Sequence, residues 1–550
     1  MQQSVSTTSV AQATFVATLV DEWRRCGVRD VVICPGSRST PVALAFTRRE
    51  DIDVFVRIDE RSAGFFALGR ALATRRPVAI VVTSGTAAAE LHAAVAEADA
   101  AGVALVVVTA DRPPELHGVG APQTIDQRAL YGSMVRAFEE PGVARLEAAL
   151  SWRPLARRLF EGARGVAGRP GPVHLNAAFV EPLLAEPLTL PATRPVVAES
   201  STPRDAAALD VRDRRVLAVV GAGTAPEVVR TMHELRWAVV GDATVSGSLA
   251  YADPLLRHDR IWEELRPDVV VRVGGVPASK FLAQRLRTFD GDILALDVAT
   301  RPVADPDAVV SRRLPGLPCE TEPRHHGDER YVELWRGAST ALDEQLTHWW
   351  GDDLDEVQVA RIVVHSANTH GVALMVGSSM PVRDVEWWSA TRQGPVYANR
   401  GANGIDGVVS TFLGVAQGTS AIGLVGDITM LHDVSALVED PGTATHAVLV
   451  VSDNHGGGIF SFLDQSREVR ADRFELLFGT PRPHDLVQVA RGFGHHGERV
   501  TSASRLRSAI ELGLERTGLS VVVAEVPSRD VNVARHNELN ERVAQWWASR

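Results

Sequence analysis

Short runs of valine and isoleucine alternate with stretches rich in alanine, leucine and arginine along most of the chain. Such apolar runs are typical of strands buried on both faces, and the stretches between them are typical of covering helices. The pattern predicts an α/β fold with doubly wound parallel sheets. It places strands at Val31–Cys34, Val54–Ile58, Val78–Thr83, Val103–Thr109, Val173–Asn176, Val216–Val220, Ala238–Val240, Val269–Val273, Ile293–Leu296, Ala373–Val376, Ile422–Val425, Ala447–Val451 and Val521–Val523.

Prolines divide this pattern into segments. Five of them between Glu181 and Pro203 exclude both a helix interior and a central strand, which indicates a linker. A chain of 550 residues also has room for about three domains. We predict a first domain at residues 1–182, a linker at 183–204, a central domain at 205–350 and a third domain at 351–550. The first and third domains look like two copies of one architecture.

The charge pattern narrows the function classes. The chain has 57 basic and 68 acidic residues, a net charge of −11, and its basic residues are scattered. We therefore expect no nucleic-acid partner. Lys280 is the sole lysine, and no glycine-rich phosphate-binding loop precedes it, which excludes a P-loop.

Cysteine use and hydropathy indicate a cytoplasmic protein. Cys26, Cys34 and Cys319 can build neither a disulfide framework nor a four-cysteine zinc site. Residues 1–20 lack the basic start and apolar run of an export signal. No uninterrupted apolar stretch reaches about 18 residues, so we expect no membrane span.

An acid and an amide follow two strands of the third domain. Asp427 comes after Val425 and Gly426, and Asn454 comes after the strand that ends at Val451 and before three glycines. Carboxylate and amide oxygens suit Mg²⁺, and glycine lets the backbone approach a diphosphate closely. Alternatively, Asp427 caps a helix and the glycines form a plain turn.

A second acidic group follows a strand of the first domain. Asp59, Glu60 and Arg61 come directly after Val54–Ile58 and open a helical stretch. A carboxylate at this position favours the positive end of the helix dipole, so a helix cap is one interpretation. A chemical role for Glu60 is the other.

Five longer segments carry a family resemblance. They are CPGSRSTP (Cys34–Pro41), DERSAGFFALG (Asp59–Gly69), TSGTAAAELHAAV (Thr83–Val95), TADRPPEL (Thr109–Leu116) and NRGANGIDG (Asn399–Gly407). The chain resembles the 2-succinyl-5-enolpyruvyl-6-hydroxy-3-cyclohexene-1-carboxylate synthases, thiamine-diphosphate enzymes of menaquinone biosynthesis. The resemblance runs from about Ala11 to Val523 and is weakest in the central domain.

The resemblance implies roles toward the cofactor. Glu60 would hydrogen-bond the aminopyrimidine ring and favour the imino tautomer that removes the thiazolium proton. Asp427, Asn454 and the carbonyl of Gly456 would hold Mg²⁺, with Mn²⁺ as a substitute, on the diphosphate. Ile405 would be the apolar wedge that bends the cofactor. Further expected cofactor contacts are Ser37, Gly401, Gly426, Gly457 and Ile459.

The implied substrates, 2-oxoglutarate and isochorismate, are anionic and need arginines held in clefts. The candidates are Arg38, Arg112, Arg383 and Arg400, with Ser37, Gln123, Ser379 and Lys280 as further contacts. We expect catalytic contacts from Glu60, Arg38, Gln123, Arg383 and Arg400. Ile459, Phe460 and Leu463 would form an apolar wall, or else simply pack in the core.

The resemblance implies decarboxylation of 2-oxoglutarate and addition of the resulting carbanion equivalent to isochorismate. Because Glu60 and the metal ligands belong to different domains that pair across subunits in this superfamily, we expect a site between protomers of a homodimer or homotetramer. The alternatives are an acetolactate-type carboligase, a simple 2-oxo-acid decarboxylase and a non-catalytic binding module. A module that only binds has no need for Glu60.

Overall fold

The computed structural model of the protein describes residues 7–193, 209–439, 442 and 444–550. Within these residues the strands form three sheets, and every strand pairing is parallel. The predicted α/β fold with three doubly wound parallel sheets is confirmed. One compact unit holds the described residues of Met1–Ser201 together with Gly401–Val415, and a second unit holds those of Thr202–Arg400 and Ala416–Arg550.

The first unit is built on a six-stranded sheet of order β2-β1-β3-β4-β6-β5. Its central strand β3 is the buried sequence VAIVV, which explains why the apolar run predicts it well. The strands are β1 (Asp30–Ile33), β2 (Asp53–Val56), β3 (Val78–Val82), β4 (Leu105–Asp111), β5 (Phe138–Glu139) and β6 (Val173–Ala178). The helices are α1 (Thr7–Cys26), α2 (Thr40–Thr47), α3 (Glu60–Thr74), α4 (Thr86–Glu90), α5 (His92–Ala101) and α6 (Ala149–Arg164).

The second unit begins with a five-stranded sheet of order β11-β10-β9-β7-β8. Its strands are β7 (Val216–Val220), β8 (Ala238–Gly241), β9 (Val269–Val273), β10 (Asp292–Leu296) and β11 (Arg312–Leu314). Its helices are α7 (Pro226–Glu234), α8 (Ala252–Leu256), α9 (Asp259–Leu265), α10 (Lys280–Arg287) and α11 (Glu329–Thr347).

The third sheet also has six strands, in the order β13-β12-β14-β15-β17-β16. Its strands are β12 (Ala373–Val376), β13 (Val396–Tyr397), β14 (Ser420–Gly426), β15 (His446–Asp453), β16 (His496–Val500) and β17 (Gly518–Glu525). The helices of this part of the chain are α12 (Glu356–His370), α13 (Met380–Trp388), α14 (Val408–Ala416), α15 (Asp427–His432), α16 (Gln465–Glu468), α17 (Ala471–Phe474), α18 (Leu486–Gly492), α19 (Ala503–Glu515) and α20 (Arg529–Ala548).

Glycines allow the segment Gly401–Val415 to pack closely on α3 within the first unit. A Cβ atom added to Gly69 would lie 2.1 Å from the carbonyl oxygen of Thr411, and one added to Gly414 would lie 2.3 Å from that of Phe66. A contact this close requires the absence of a side chain on both helices. The segment that the sequence assigns to the third domain is therefore held by the first.

Four strands were not predicted from the sequence: β5, β11, β13 and β16. Each of them is an edge strand of its sheet. An edge strand is exposed along one side and needs no continuous apolar run, so its sequence carries a weak signal.

The domain boundaries stay predictions, although the three sheets fall inside the three predicted segments. Residues 183–193 of the predicted linker contain neither helix nor strand. Residues 194–204 lie outside the described residues. Among the helices that the structure describes, none is long and apolar enough to cross a membrane.

The glycine contacts yield a paired prediction. Gly69→Ala should destabilise the protein by about 1–3 kcal/mol, because the methyl group forces α3 away from Thr411. Gly337→Ala in α11 should instead stabilise by about 0.5–1 kcal/mol, because its Cβ would meet nothing within 4 Å and alanine favours helix. Thermal melting of the two variants measures both effects, and equal shifts would contradict the close packing.

Candidate active site

Asp427 and Asn454 lie at the carboxyl ends of neighbouring strands. In the parallel register of β14 and β15, Gly426 pairs with Ser452, so both chains leave the sheet at the same edge. Both side chains are buried, with exposed fractions of 6% and 5%. The site that the sequence predicts at this edge therefore receives both side chains.

The surroundings of Asp427 suit a cation. Burial raises the pKa of Asp427 to about 7, the charge of Asp453 adds to the rise, and the backbone N–H groups of Ile428 and Gly456 oppose it. A nearby cation stabilises the charged form of such a carboxyl. Asp427 is also the first residue of α15, so its carboxylate gains from the helix dipole as well.

Asn454 presents one oxygen without a partner. Its Nδ2 donates to Glu356 Oε1 at 2.8 Å, whereas its buried Oδ1 has no hydrogen-bond partner in the described part of the chain. An orphaned buried acceptor costs free energy unless another group uses it. A carboxylate and a free amide oxygen form an oxygen donor set that fits Mg²⁺ or Mn²⁺.

The loop after Asn454 requires its glycines. Gly456 has a φ of +143°, and a Cβ on it would lie 2.2 Å from the carbonyl oxygen of Gly479. The N–H of Gly457 donates to that same oxygen at 2.9 Å. The absence of side chains thus lets the backbone at 456–457 pack directly on the backbone at Gly479.

The predicted apolar wall follows in a short 3-10 turn. Gly458–Phe462 forms the turn, and Ile459, Phe460 and Leu463 are half-buried. The ring of Phe460 lies 5.5 Å from that of Phe478, centroid to centroid. These residues are neither fully buried nor exposed, so the wall stays a prediction.

In the first unit, Asp59 rather than Glu60 caps α3. The side chain of Asp59 accepts the N–H of Ser62 at 3.1 Å. Glu60 is the first helical residue, is half-buried, and has no hydrogen bond or salt bridge to any described residue. The cap interpretation therefore belongs to Asp59, and the carboxyl of Glu60 is available for another partner.

The loop that carries Gly401 and Ile405 is anchored by an acid that the sequence analysis missed. The two carboxylate oxygens of buried Glu97 accept the backbone N–H groups of Gly401 and Ala402, both at 2.6 Å. Ile405 lies half-buried three residues beyond Ala402. Glu97 gives no local signal, because its partners lie about 300 residues away in the chain.

Arg112 and Gln123 meet at Ser84 in the first unit, and Arg38 lies near enough to feel the charge of Arg112. Arg112 donates to Ser84 Oγ at 2.6 Å, and Gln123 Nε2 donates to the Ser84 carbonyl at 3.2 Å. Burial and the nearby charge of Arg112 lower the pKa of Arg38, which pairs with the exposed Glu181 at 3.3 Å. These predicted residues form one positive cluster, whereas Ser37 lies exposed in the turn after β1.

Arg383 and Arg400 come together in the second unit. Arg383 donates to the carbonyl of Ser379 at 2.6 Å, and burial and the charge of Arg400 lower the pKa of Arg383. Arg400 pairs with Asp242 at 2.9 Å, and Asp242 is fully buried. Arg383 has no salt bridge to a described residue, so an anion would be attracted to this pair. Ser379 itself holds a φ of +73°, a strained position typical of functional loops.

The loop before Lys280 contacts Arg400 of the same arginine pair. Both carboxylate oxygens of Glu386 accept backbone N–H groups of the loop Val276–Ser279, at 2.8 and 2.9 Å. The guanidinium of Arg400 donates to the carbonyl of Val276 at 3.3 Å. Lys280 is the exposed first residue of α10. The structure thus brings Ser379, Arg383 and Arg400 together, but it gives Lys280 no contact with them. The acids Asp242 and Glu386, which hold Arg400 and the loop, were not predicted from the sequence.

Comparison with known proteins identifies the family. Family models described as the N-terminal and the C-terminal TPP binding domain of thiamine pyrophosphate enzymes match residues 13–130 and 391–524. Proteins named 2-succinyl-5-enolpyruvyl-6-hydroxy-3-cyclohexene-1-carboxylate synthase from Chloroflexus aurantiacus and Myxococcus xanthus are 35% and 38% identical, over 96% of this chain and 95% and 96% of their own lengths. The chain belongs to this synthase family.

The synthase family membership confirms the resemblance that the five sequence segments carry, and with it a thiamine-diphosphate-dependent enzyme. A relative of the same name from Thermobifida fusca is 38% identical over 90% of this chain and 92% of its own length. A solved structure of benzoylformate decarboxylase from Polynucleobacter necessarius superposes with a TM-score of 0.67 at 16% identity, covering 93% of this chain and 98% of its own. That structure supports the fold of the synthase.

The donor set predicts how the synthase responds to loss of a carboxylate. Asp427→Ala should abolish Mg²⁺-dependent binding of thiamine diphosphate, because the buried Asn454 oxygen alone supplies no charge. Asp427→Asn should be intermediate, since it keeps an oxygen but loses the charge. Calorimetric titration with cofactor, with and without Mg²⁺, measures the affinities. Unchanged affinity in Asp427→Ala would place the metal elsewhere.

Proposed function

We propose that this synthase decarboxylates 2-oxoglutarate with thiamine diphosphate and Mg²⁺ and adds the remaining four-carbon unit to isochorismate, in the cytoplasm, as a step of menaquinone biosynthesis. The observation that carries the proposal is the pair Arg383 and Arg400: two neighbouring guanidinium groups, one of which lacks a salt bridge within the described residues. Such a pair suits a substrate with more than one carboxylate.

The metal site follows from the oxygen donor set. Asp427, Asn454 Oδ1 and the Gly456 carbonyl would hold Mg²⁺, and the backbone at Gly426 and Gly457 would lie against the diphosphate. When bound, thiamine diphosphate supplies a nucleophilic ring carbon and an electron sink for decarboxylation. Glu60 would hold a proton at the aminopyrimidine ring, and Ile405 would give that ring apolar support.

The substrates would be held by the arginine clusters. Arg383 and Arg400, with Ser379 and Lys280, would bind carboxylates in the second unit. Arg38, Arg112 and Gln123, with Ser37, would do so in the first unit. Ile459, Phe460 and Leu463 would exclude water from the reacting centre.

We propose a homodimer as the minimum functional unit, in which Glu60 of one protomer serves the metal-site residues of the other, and a homotetramer as the larger form. Exposed apolar side chains support this arrangement. Val56, the last residue of the edge strand β2, and Ile58, two residues beyond it, are 57% and 65% exposed. Apolar residues this exposed at a sheet edge mark an interaction surface.

Substrate choice tests the function directly. The purified protein with thiamine diphosphate, Mg²⁺, 2-oxoglutarate and isochorismate should consume both substrates and form the adduct, detected by mass spectrometry. Pyruvate should be a poor donor, because its methyl group leaves an arginine of the site without a carboxylate partner. Release of CO₂ without use of isochorismate would indicate a simple decarboxylase, and efficient use of pyruvate would indicate an acetolactate-type carboligase.

Glu60→Gln should fold and bind cofactor but turn over about 10²–10⁴-fold more slowly, because glutamine keeps the shape and loses the acid. The deuterium exchange rate at C2 of the bound cofactor measures the effect. Asp59→Ala is the matched control: it removes the helix cap at a cost of about 1 kcal/mol of stability and should largely keep the exchange rate. A wild-type exchange rate in Glu60→Gln would exclude the proton-transfer role.

Arg383→Ala should raise KM for a substrate about 10–100-fold with cofactor binding nearly intact, from loss of about 1.5–3 kcal/mol of charged hydrogen bonding. Arg400→Ala should do the same but also lower the melting temperature, because it leaves Asp242 buried without its partner. The exposed Arg312→Ala serves as control. Steady-state kinetics that show an unchanged KM in Arg383→Ala would remove the arginine pair from substrate binding.

A further inference from the structure

The side-chain amide of Asn454 has two chemically different ends, and only its oxygen can bind a cation. Rotating the amide by half a turn would exchange the oxygen and the nitrogen at little change in shape. Something in the structure must therefore select the orientation in which Oδ1 is free. The amide nitrogen donates to Glu356 Oε1 at 2.8 Å, and this contact makes the selection.

Glu356 has no other hydrogen-bonding task among the described residues. It is the first residue of α12, but the cap of that helix is Asp355, whose side chain accepts the N–H of Gln358 at 2.7 Å. Asn454 is the one side chain that hydrogen-bonds Glu356 within the described chain. Glu356 is 5% exposed, so this contact is made inside the protein rather than at its surface.

The position is costly for an acid. Asp355, Asp384 and Asp427 all lie near enough to act electrostatically on Glu356. An acid that is buried among other acids lowers the stability of the fold. Its presence at such a position therefore indicates a role other than stabilisation. A neutral apolar side chain at this position would pack at lower cost.

We infer that Glu356 is a positioning residue that fixes the orientation of the Asn454 amide, with Nδ2 bound and Oδ1 presented as a ligand for a divalent cation. The inference rests on the metal site of the proposed function. In the rotated amide, Oδ1 would face Glu356 Oε1, and the hydrogen bond that Nδ2 donates would be lost. Partners behind metal ligands commonly tune affinity in this way.

The test measures cation affinity rather than turnover. Mn²⁺ is titrated into the protein with thiamine diphosphate present, and the concentration of free Mn²⁺ is measured by electron paramagnetic resonance. Glu356→Met, which keeps the volume but removes the acceptor, should weaken Mn²⁺ binding about 10–100-fold. Glu356→Gln keeps an acceptor oxygen and should stay near the wild-type affinity. Gln358→Ala, on the same helix and equally buried, should bind Mn²⁺ like the wild type.

A second background separates orientation from general packing. In Asn454→Asp either carboxylate oxygen can serve the cation, so adding Glu356→Met should weaken binding no further. An equal loss in both backgrounds, or wild-type affinity in Glu356→Met alone, would overturn the inference.

Folding of each variant is checked first by thermal melting, with Glu356→Leu as a replacement for Glu356→Met. If both apolar variants fail to fold while Glu356→Gln folds, Glu356 is a packing residue and the inference is wrong. Unchanged Mn²⁺ affinity in Asp427→Ala would instead refute the metal site itself, which keeps the two failures distinct.

Discussion

The parallel pairing of β14 with β15 is the constraint on which the candidate active site depends. It ends both strands at one edge of the sheet and delivers Asp427 and Asn454 there together. Both strands are buried along nearly their whole length, so a shift in register would break backbone hydrogen bonds and misplace packed valines. The apolar core of the sheet thus fixes the positions of polar groups that contribute nothing to that core.

Three buried acids of the second unit each have a defined hydrogen-bond partner. Glu386 binds two backbone N–H groups, Asp242 binds the guanidinium of Arg400, and Glu356 binds the amide of Asn454. Each contact fixes the orientation of a group that can still bind a further partner. Burial strengthens the electrostatic effect of that group. Arg383 differs, because it forms no salt bridge with a described residue and its acidic neighbours Glu386 and Asp384 act on it only through space. A guanidinium held in this way can still pair with an anionic substrate.

Central strands were predictable from sequence because burial on both faces leaves a continuous apolar run, as in VAIVV of β3. The edge strands β5, β11, β13 and β16 were not, because one side of each lies outside the sheet and their sequences are mixed. In the site, strand-end residues such as Asp427 and Asn454 were found from the order of strand, glycine and polar residue. Glu356, Asp242 and Glu386 were missed because their partners lie 98, 158 and 107 residues away, and a local pattern carries no trace of such contacts.

Several residues outside the strands carry features that lower stability. Ser379 and Gln123 hold positive φ angles of 73° and 56°, Asn454 Oδ1 has no partner in the described chain, and Glu356 is buried among acids. None of these features lies within a strand. The continuous apolar strands beneath offset their cost, so the sheets tolerate a strained and charged edge. In the proposed function these groups bind or position cofactor and substrate, so a substitution that relaxes one of them should gain stability and lose activity.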